Sequence, residues 1–477
     1  MNDSLKHQVI HSLKWVALGK ISSQMVRWVI TFWVIRLLLP EDYGIVSLAD
    51  LFFGFMTLVL GPLIGPAIVQ HKNISKQELK QLFGVVILVY LAAFFIQILA
   101  ADSVGEFYQS ENVARILKIN AWCFIMLLFA VIPTSLLAKE MQFKYVSIVA
   151  AFSNIVAALS TLIMAYFGFG FWSIIYGEII SIVLRSFLTI IKRPVFIVPD
   201  FRINKIIPFL RFGGLATLNS ILFYIFLTMD VAIAGRVMTT TELGIYAIGL
   251  QIGLMPQKKI LPLIKQVAFP AFAKIQEYPE KITNYTVKAQ KLTFYLTVPI
   301  FWGLASVIDL IIPIILGEQW MAAIEPTRIL LLVMPLKFSQ ELFGPALSSQ
   351  KKLKHIIFNT LTLIAVMLVS ILIGVNFGAV GLAYAWLFGF PIAFLIILLR
   401  NCKELNIRVS MFLKFLAIPV FSGLLMLGGV FFSKIYFSNI ELVNLLFQIF
   451  LGASIYTLFV VLFDKPSVQE MLRMFKR

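Results

Sequence analysis

A soluble chain of 477 residues would divide into roughly two to four domains, but the composition excludes a soluble chain. Hydrophobic residues make up 60% and charged residues 13%, against about 45–50% and about 25% in soluble globular domains, and the mean hydropathy is +0.94. So much apolar surface has to sit in lipid, which removes soluble enzymes, DNA-binding proteins and disordered scaffolds together. The formal charge of +17, from 40 Lys and Arg against 23 Asp and Glu, then becomes a question of where the charges lie rather than a sign of nucleic acid.

A bilayer core about 30 Å thick needs about 20 helical residues to cross it. Apolar runs of that length recur along the whole chain, over 13–39, 44–69, 82–100, 117–138, 146–166, 171–191, 213–234, 244–270, 292–315, 327–348, 356–376, 380–399, 415–436 and 443–463. Continuous runs of this kind are helices and not the alternating strands of a barrel. The first is too long, and too interrupted by Lys20 and Arg27, to read as a cleavable signal. The pattern predicts an all-α polytopic membrane protein of about 14 transmembrane helices.

Charge sets the orientation. With the N-terminus in the cytoplasm, the cytoplasmic segments hold 27 Lys and Arg with nine acids, and the opposite side holds five with nine acids. The net charges of +18 and −4 make a strong positive-inside bias and predict that both termini are cytoplasmic. Eight bases and five acids remain at membrane depth.

A faint repeat appears at an offset of 200, where Arg36…Gly44-Ile45 matches Arg236…Gly244-Ile245 and Pro62-Leu63-Ile64 matches Pro262-Leu263-Ile264. A looser match at an offset of 210 joins Phe167-Gly168 to Phe377-Gly378. Matching runs are an even number of spans apart, which makes the halves parallel about an axis along the membrane normal. The expected division is a lobe of helices 1–6 over 1–200, a lobe of helices 7–12 over 201–404, and helices 13 and 14 with a tail over 405–477. The Pro-rich stretch 192–211 links the lobes.

A charge inside a bilayer costs roughly 2.5–3.5 kcal/mol on the lenient scale, so it faces a cavity or a partner. Lys20 and Arg27 lie seven apart on one helical face, and Lys258 and Lys265 repeat that spacing with Lys259 beside the first. Cations gathered in a low-dielectric cavity attract an anion such as phosphate or diphosphate. Lys20 and Lys265 could instead snorkel to the interface. Glu178 and Arg185 share a face of the sixth run, about 10 Å apart along the axis, too far for a direct ion pair. Lys337 and Glu341, four apart, either pair locally or serve coupling. Asp50 and Asp230 are candidate cation or proton sites. Lys118 and Asp309 lie at outer ends of their helices and read as interfacial. Gly61-x-x-x-Gly65 reads as close helix packing, and Gly168-x-Gly170 as a tight outer turn. Cys123 and Cys402 offer neither a structural disulfide nor a metal cage, and no HExxH, Walker A or nucleophile-elbow pattern occurs.

Several segments together resemble the Wzx-type polysaccharide flippases of the multidrug/oligosaccharidyl-lipid/polysaccharide exporter superfamily. They are Leu18-Gly19-Lys20 through Arg36-Leu37-Leu38-Leu39-Pro40-Glu41-Asp42-Tyr43-Gly44, then Gly168-Phe169-Gly170-Phe171-Trp172-Ser173…Tyr176-Gly177-Glu178, Asp230…Gly235-Arg236…Leu243-Gly244…Tyr246 and Phe269-Pro270-Ala271-Phe272. The resemblance covers nearly the whole chain. It implies two lobes working by alternating access around a cationic cavity, no enzymatic activity and no cofactor, with coupling by Na⁺, H⁺ or the membrane potential. The implied cargo is a polyprenyl-diphosphate-linked glycan flipped to the outer leaflet, with membrane lipids and a glycan polymerase or assembly proteins as further partners and no nucleic acid. Arg27, Lys20, Arg185, Lys258, Lys259 and Lys265 are the candidate cargo-binding residues. Asp50, Glu178, Asp230, Lys337 and Glu341 are candidates for coupling or gating. Three lysines in the eighth run depart from the family pattern and would share the cations between lobes differently. Two other functions compete. A cation-coupled multidrug antiporter would want a cavity dominated by carboxylates, and a membrane glycan polymerase would want a larger outer loop than 101–116.

Overall fold

The computed structural model describes residues 27–70, 74–202, 206–434, 441–466 and 469. Helix α1 is described over 27–37. It is followed by α2 (Pro40–Gln70), α3 (Lys76–Phe107), α4 (Glu111–Lys139), α5 (Phe143–Tyr166), α6 (Trp172–Lys192) and α7 (Ile207–Val237). Then come α8 (Thr240–Lys274), α9 (Pro279–Ile311), α10 (Ile324–Ser349), α11 (Leu353–Gly374), α12 (Gly378–Glu404), α13 (Val409–Ser433) and α14 (Glu441–Phe463). Every regular element among the described residues is helical. Ten stretches of these residues are long and apolar enough to cross a membrane, and one of them, Leu353–Glu404, holds both α11 and α12. The chain is an all-α multi-pass membrane protein. It forms two compact units, Met1–Ile221 and Leu222–Arg477.

Several helices outrun the apolar runs that mark them. α3 continues to Phe107 and α4 begins at Glu111, so the outer loop expected over 101–116 shrinks to a three-residue turn with Gln109 at φ +52°. Lys118 reaches across this hairpin to Asp102 at 2.7 Å. α9 likewise starts at Pro279, in its first turn, and makes helix of residues that hydropathy assigns to a cytoplasmic loop. Apolarity measures contact with lipid, whereas a helix continues for as long as its backbone hydrogen bonds are satisfied. Local sequence sets the starts. Ser75 and Glu78 form a reciprocal capping box at α3, and Thr239 and Glu242 form another at α8.

In the N-terminal unit α4 is the hub, packed against α2, α3 and α6. Phe53, Leu60, Val86, Phe124, Leu128 and Ile132 lie at its core. The buried Gln97 Nε2 donates to the Leu117 carbonyl at 2.9 Å and pins α3 to α4. In the C-terminal unit α10 takes the same place, packed against α8, α9 and α12, while α13 and α14 pack on α9. Gln290 and Ser339, both fully buried, exchange two hydrogen bonds between α9 and α10. Bonds of this kind matter in lipid, where apolar contact alone does not hold helices together.

The turn between α5 and α6 is the one expected from Gly168-x-Gly170. Both glycines have positive φ, +81° and +55°, a region that side chains rarely enter. Asp42 at the start of α2 accepts from the Phe171 backbone N–H and from that of Leu39, both at 2.9 Å. The turn before α12 repeats the device with Gly378 at φ +68°, close to the Glu242 carboxylate at the start of α8.

Candidate functional site

Two adjoining cavities in the N-terminal unit form one cleft walled by α2, α3, α4 and α6. The first, about 480 Å³, is lined by Asp50, Phe53, Thr57, Tyr90 and Glu178 among others. The second, about 370 Å³, is lined by Thr134, Ser135, Ser181, Arg185 and Ser186 among others. They share Gly61, Tyr90, Leu127 and Ile182. The cleft therefore has two carboxylates at one end, a guanidinium among hydroxyls at the other, and a tyrosine between. Glu178 and Arg185 do share a face of α6, and the two turns between them place each at a different end. Asp50 and Arg185 are exposed and Glu178 is half-buried.

Gly61 and Gly65 line this cleft and do not seat a packed helix crossing, contrary to the reading of their spacing. Among the described residues, a Cβ on Gly61 would meet nothing within 4 Å, and one on Gly65 would touch only Ser135 Oγ, at 3.4 Å. The missing side chains here leave room for the cavity.

Arg27 opens the described part of α1, half-buried, eleven residues before Leu38, and Asp50 lies eleven residues after Leu39. The turn at 38–39 thus sets a base and an acid at the same depth in consecutive helices. Lys20 lies outside the described residues. Lys258, Lys259 and Lys265 are on α8, and their side chains also lie outside the described residues.

The C-terminal unit treats its polar groups differently. Asp230 on α7 is completely buried. Its Oδ2 accepts from the Tyr246 hydroxyl at 2.6 Å and from Trp386 Nε1 at 3.2 Å, and its Oδ1 accepts from the Val231 backbone N–H at 2.8 Å. Trp386 Nε1 also donates to the Tyr246 hydroxyl at 2.8 Å. Lys337, on α10 and buried, holds its ammonium 4.0 Å from the centre of the Trp386 ring, a cation–π contact that carries a charge at low dielectric. Glu341, one turn on, is buried too. Asp309 lies near the C-terminal end of α9. It binds Lys434 at 2.6 Å and Arg328 at 3.5 Å.

Sequence reasoning left Tyr90, Thr57, Tyr246 and Trp386 without site roles. Tyr246 had a signal: it follows the α7–α8 turn by about the distance at which Asp230 precedes it, so the two meet across the hairpin. Tyr90 and Trp386 lie in apolar runs and join their clusters only through packing between helices distant in sequence.

A model of the polysaccharide biosynthesis protein family matches residues 33–325, more than half of the chain. The chain belongs to that family. This polysaccharide biosynthesis protein is similar over 99% of both chains, at 23% identity, to an uncharacterized membrane protein in the cps region of Klebsiella pneumoniae. It is also 24% identical to the lipopolysaccharide biosynthesis protein WzxC of Escherichia coli, over 80% of this chain and 79% of WzxC. Its fold is similar to that of a solved structure of the lipid II flippase MurJ, with a TM-score of 0.78 at 17% identity, covering 95% of this chain and all of that one.

Proposed function

We propose that this protein flips a polyprenyl-diphosphate-linked oligosaccharide from the cytoplasmic to the outer leaflet of a bacterial inner membrane, by alternating access, for cell-surface polysaccharide synthesis. The observation that carries the reading is the accessible, charged cleft at membrane depth in a chain of the polysaccharide biosynthesis family. Charged groups in a lipid-embedded cavity are costly and mark a polar path. At the Arg185 end, a guanidinium flanked by hydroxyls suits a diphosphate, which it can grip with two parallel hydrogen bonds. Arg27, Lys20, Lys258, Lys259 and Lys265 supply the remaining positive charge. At the other end Asp50 and Glu178 can exchange a proton or bind Na⁺, so that ion movement or the membrane potential drives the return step. Asp230, Lys337 and Glu341 act as a gate or a fixed frame. The 27-to-5 distribution of bases supports cytoplasmic termini, and a glycan polymerase would draw on the product at the outer face.

Transport in proteoliposomes tests this. A fluorescent polyprenyl-diphosphate sugar should move between leaflets with the wild type, and a variant combining Arg27→Gln, Arg185→Gln, Lys258→Ala and Lys265→Ala should lose that movement. Movement by both keeps the flippase and discards the cationic site. If neither moves the lipid, but cationic dyes are exported against a proton or Na⁺ gradient, the accessible Asp50–Glu178 end belongs to a multidrug antiporter.

A further inference from the structure

Between α6 and α7 the chain runs as an irregular strap over 194–202. Its inner edge is fixed to α3. The Asp200 backbone N–H donates to the Lys80 carbonyl at 3.0 Å, and Gln77 Nε2 donates to the Asp200 carboxylate. A Cβ on Gly84 would lie 2.4 Å from the Asp200 carbonyl oxygen, so the strap's backbone rests directly on the helix. Arg202 closes on Asp200 through Nε at 3.0 Å. At the other end Arg193 Nε meets Glu140 at 3.0 Å, and Lys192 Nζ sits 5.4 Å from the Tyr145 ring centre.

Along the strap burial alternates from Val195 to Val198, which sets which side chains turn in and which turn out. Val195 turns in and packs against the core of the N-terminal unit. Phe196 and Val198 turn out, 97% and 74% exposed, and Phe201 follows at 55%. Among the described residues, nothing covers this apolar edge. It continues a row on α6, where Phe187 and Ile191 are exposed on the side away from the cleft-lining Ile182 and Arg185. That side of a membrane-spanning helix faces lipid, so the strap begins where the lipid-facing surface of α6 ends. Beside it stand four bases, Lys80, Lys192, Arg193 and Arg202, against two acids, Glu140 and Asp200. Aromatic and aliphatic side chains beside an excess of lysine and arginine at the end of a span match the headgroup layer, apolar on one side and anionic on the other.

We propose that the strap over 194–202 is a lipid-docking element that seats Phe196 and Val198 in the headgroup layer and binds anionic phospholipid through the basic residues around it. The shared apolar row with α6 argues for lipid as the occupant, and the excess positive charge argues for anionic headgroups.

The test uses the full chain in vesicles with an environment-sensitive fluorophore on Val198→Cys. The two native cysteines, Cys123 and Cys402, are buried and stay unlabelled. In vesicles of phosphatidylglycerol and phosphatidylcholine the emission should shift to the blue and be quenched by a lipid-borne quencher. Phe196→Ser added to the labelled protein should weaken the shift while the thermal unfolding midpoint stays put, since the Asp200 contacts are untouched. Each base near an anionic surface is worth roughly fivefold in binding. Lys192→Gln with Arg193→Gln should therefore reduce the preference for phosphatidylglycerol over phosphatidylcholine vesicles by about tenfold or more. A probe quenched by aqueous iodide alike in detergent and in both vesicles would overturn the proposal. So would shielding seen only in native membranes, which would assign the strap to a protein partner. The readout needs no cargo, so it stands or falls apart from the flippase reading.

Discussion

The two units of this protein share a packing plan and use their polar residues in opposite ways. In each, one hub helix, α4 or α10, packs against the helix two before it, the helix just before it and the helix two after it. The N-terminal unit leaves Asp50 and Arg185 exposed along a cleft. The C-terminal unit seals Asp230, Tyr246, Trp386 and Lys337 into its core, each less than 4% exposed. A charge in a membrane helix is therefore not one kind of signal. Where it borders a cavity it is available to a ligand. Where both carboxylate oxygens are met by internal donors, it holds helices together in a medium that gives apolar contacts little advantage.

If that contrast is right, Asp230→Ala should have the largest effect on stability. It strips the buried Tyr246 hydroxyl and Trp386 indole N–H of the acceptor they share, at a cost of about 1–3 kcal/mol for each donor left unsatisfied, visible as a lower unfolding midpoint and reduced yield in detergent. Tyr246→Phe takes away the hydroxyl at 2.6 Å from Asp230 Oδ2 but leaves Trp386 Nε1 in place, and should cost about 1–3 kcal/mol in the same assay. Asp42→Ala removes the acceptor for the Phe171 and Leu39 N–H groups, a capping loss of about 0.5–2 kcal/mol. Asp50→Asn in the cleft should change the midpoint by no more than about 0.5 kcal/mol while altering transport. An Asp50→Asn protein as unstable as Asp230→Ala would erase the distinction between the units.

The smallest effect concerns the strap. The Arg202 side chain, followed by the Arg202 backbone N–H, holds the Asp200 carboxyl down to about 2. A carboxyl depressed on folding adds stability that is complete above its unfolded value, near 3.9, and is lost as pH falls through the folded value. The strap should accordingly resist limited proteolysis equally at pH 5 and pH 8 and become more cleavable only in strong acid. Asp200→Asn should show the acid behaviour at neutral pH.

Much of this was legible in the residues. Apolar length marked the helices and Gly168-x-Gly170 marked a turn, because each rests on contacts within a few residues. The face shared by Glu178 and Arg185 followed from helix geometry alone. The spacing of Gly61 and Gly65 misled, since the same small residues that allow helices to touch also leave space when nothing fills it. Helix ends misled as well at 101–116 and 279–291, where polar residues continue the helix beyond the lipid.

What the sequence determined by itself was the lipid environment, the helical class and the spacing of charges along each helix, quantities set by composition and by a rise of about 1.5 Å per residue. Tertiary structure alone decided which charges meet a cavity and which meet each other. Tyr90 lines the cleft with Glu178, and Trp386 reaches Asp230 from 156 residues away. Such encounters depend on how helices remote in sequence pack around α4 and α10, and periodicity within one helix carries no record of its neighbours.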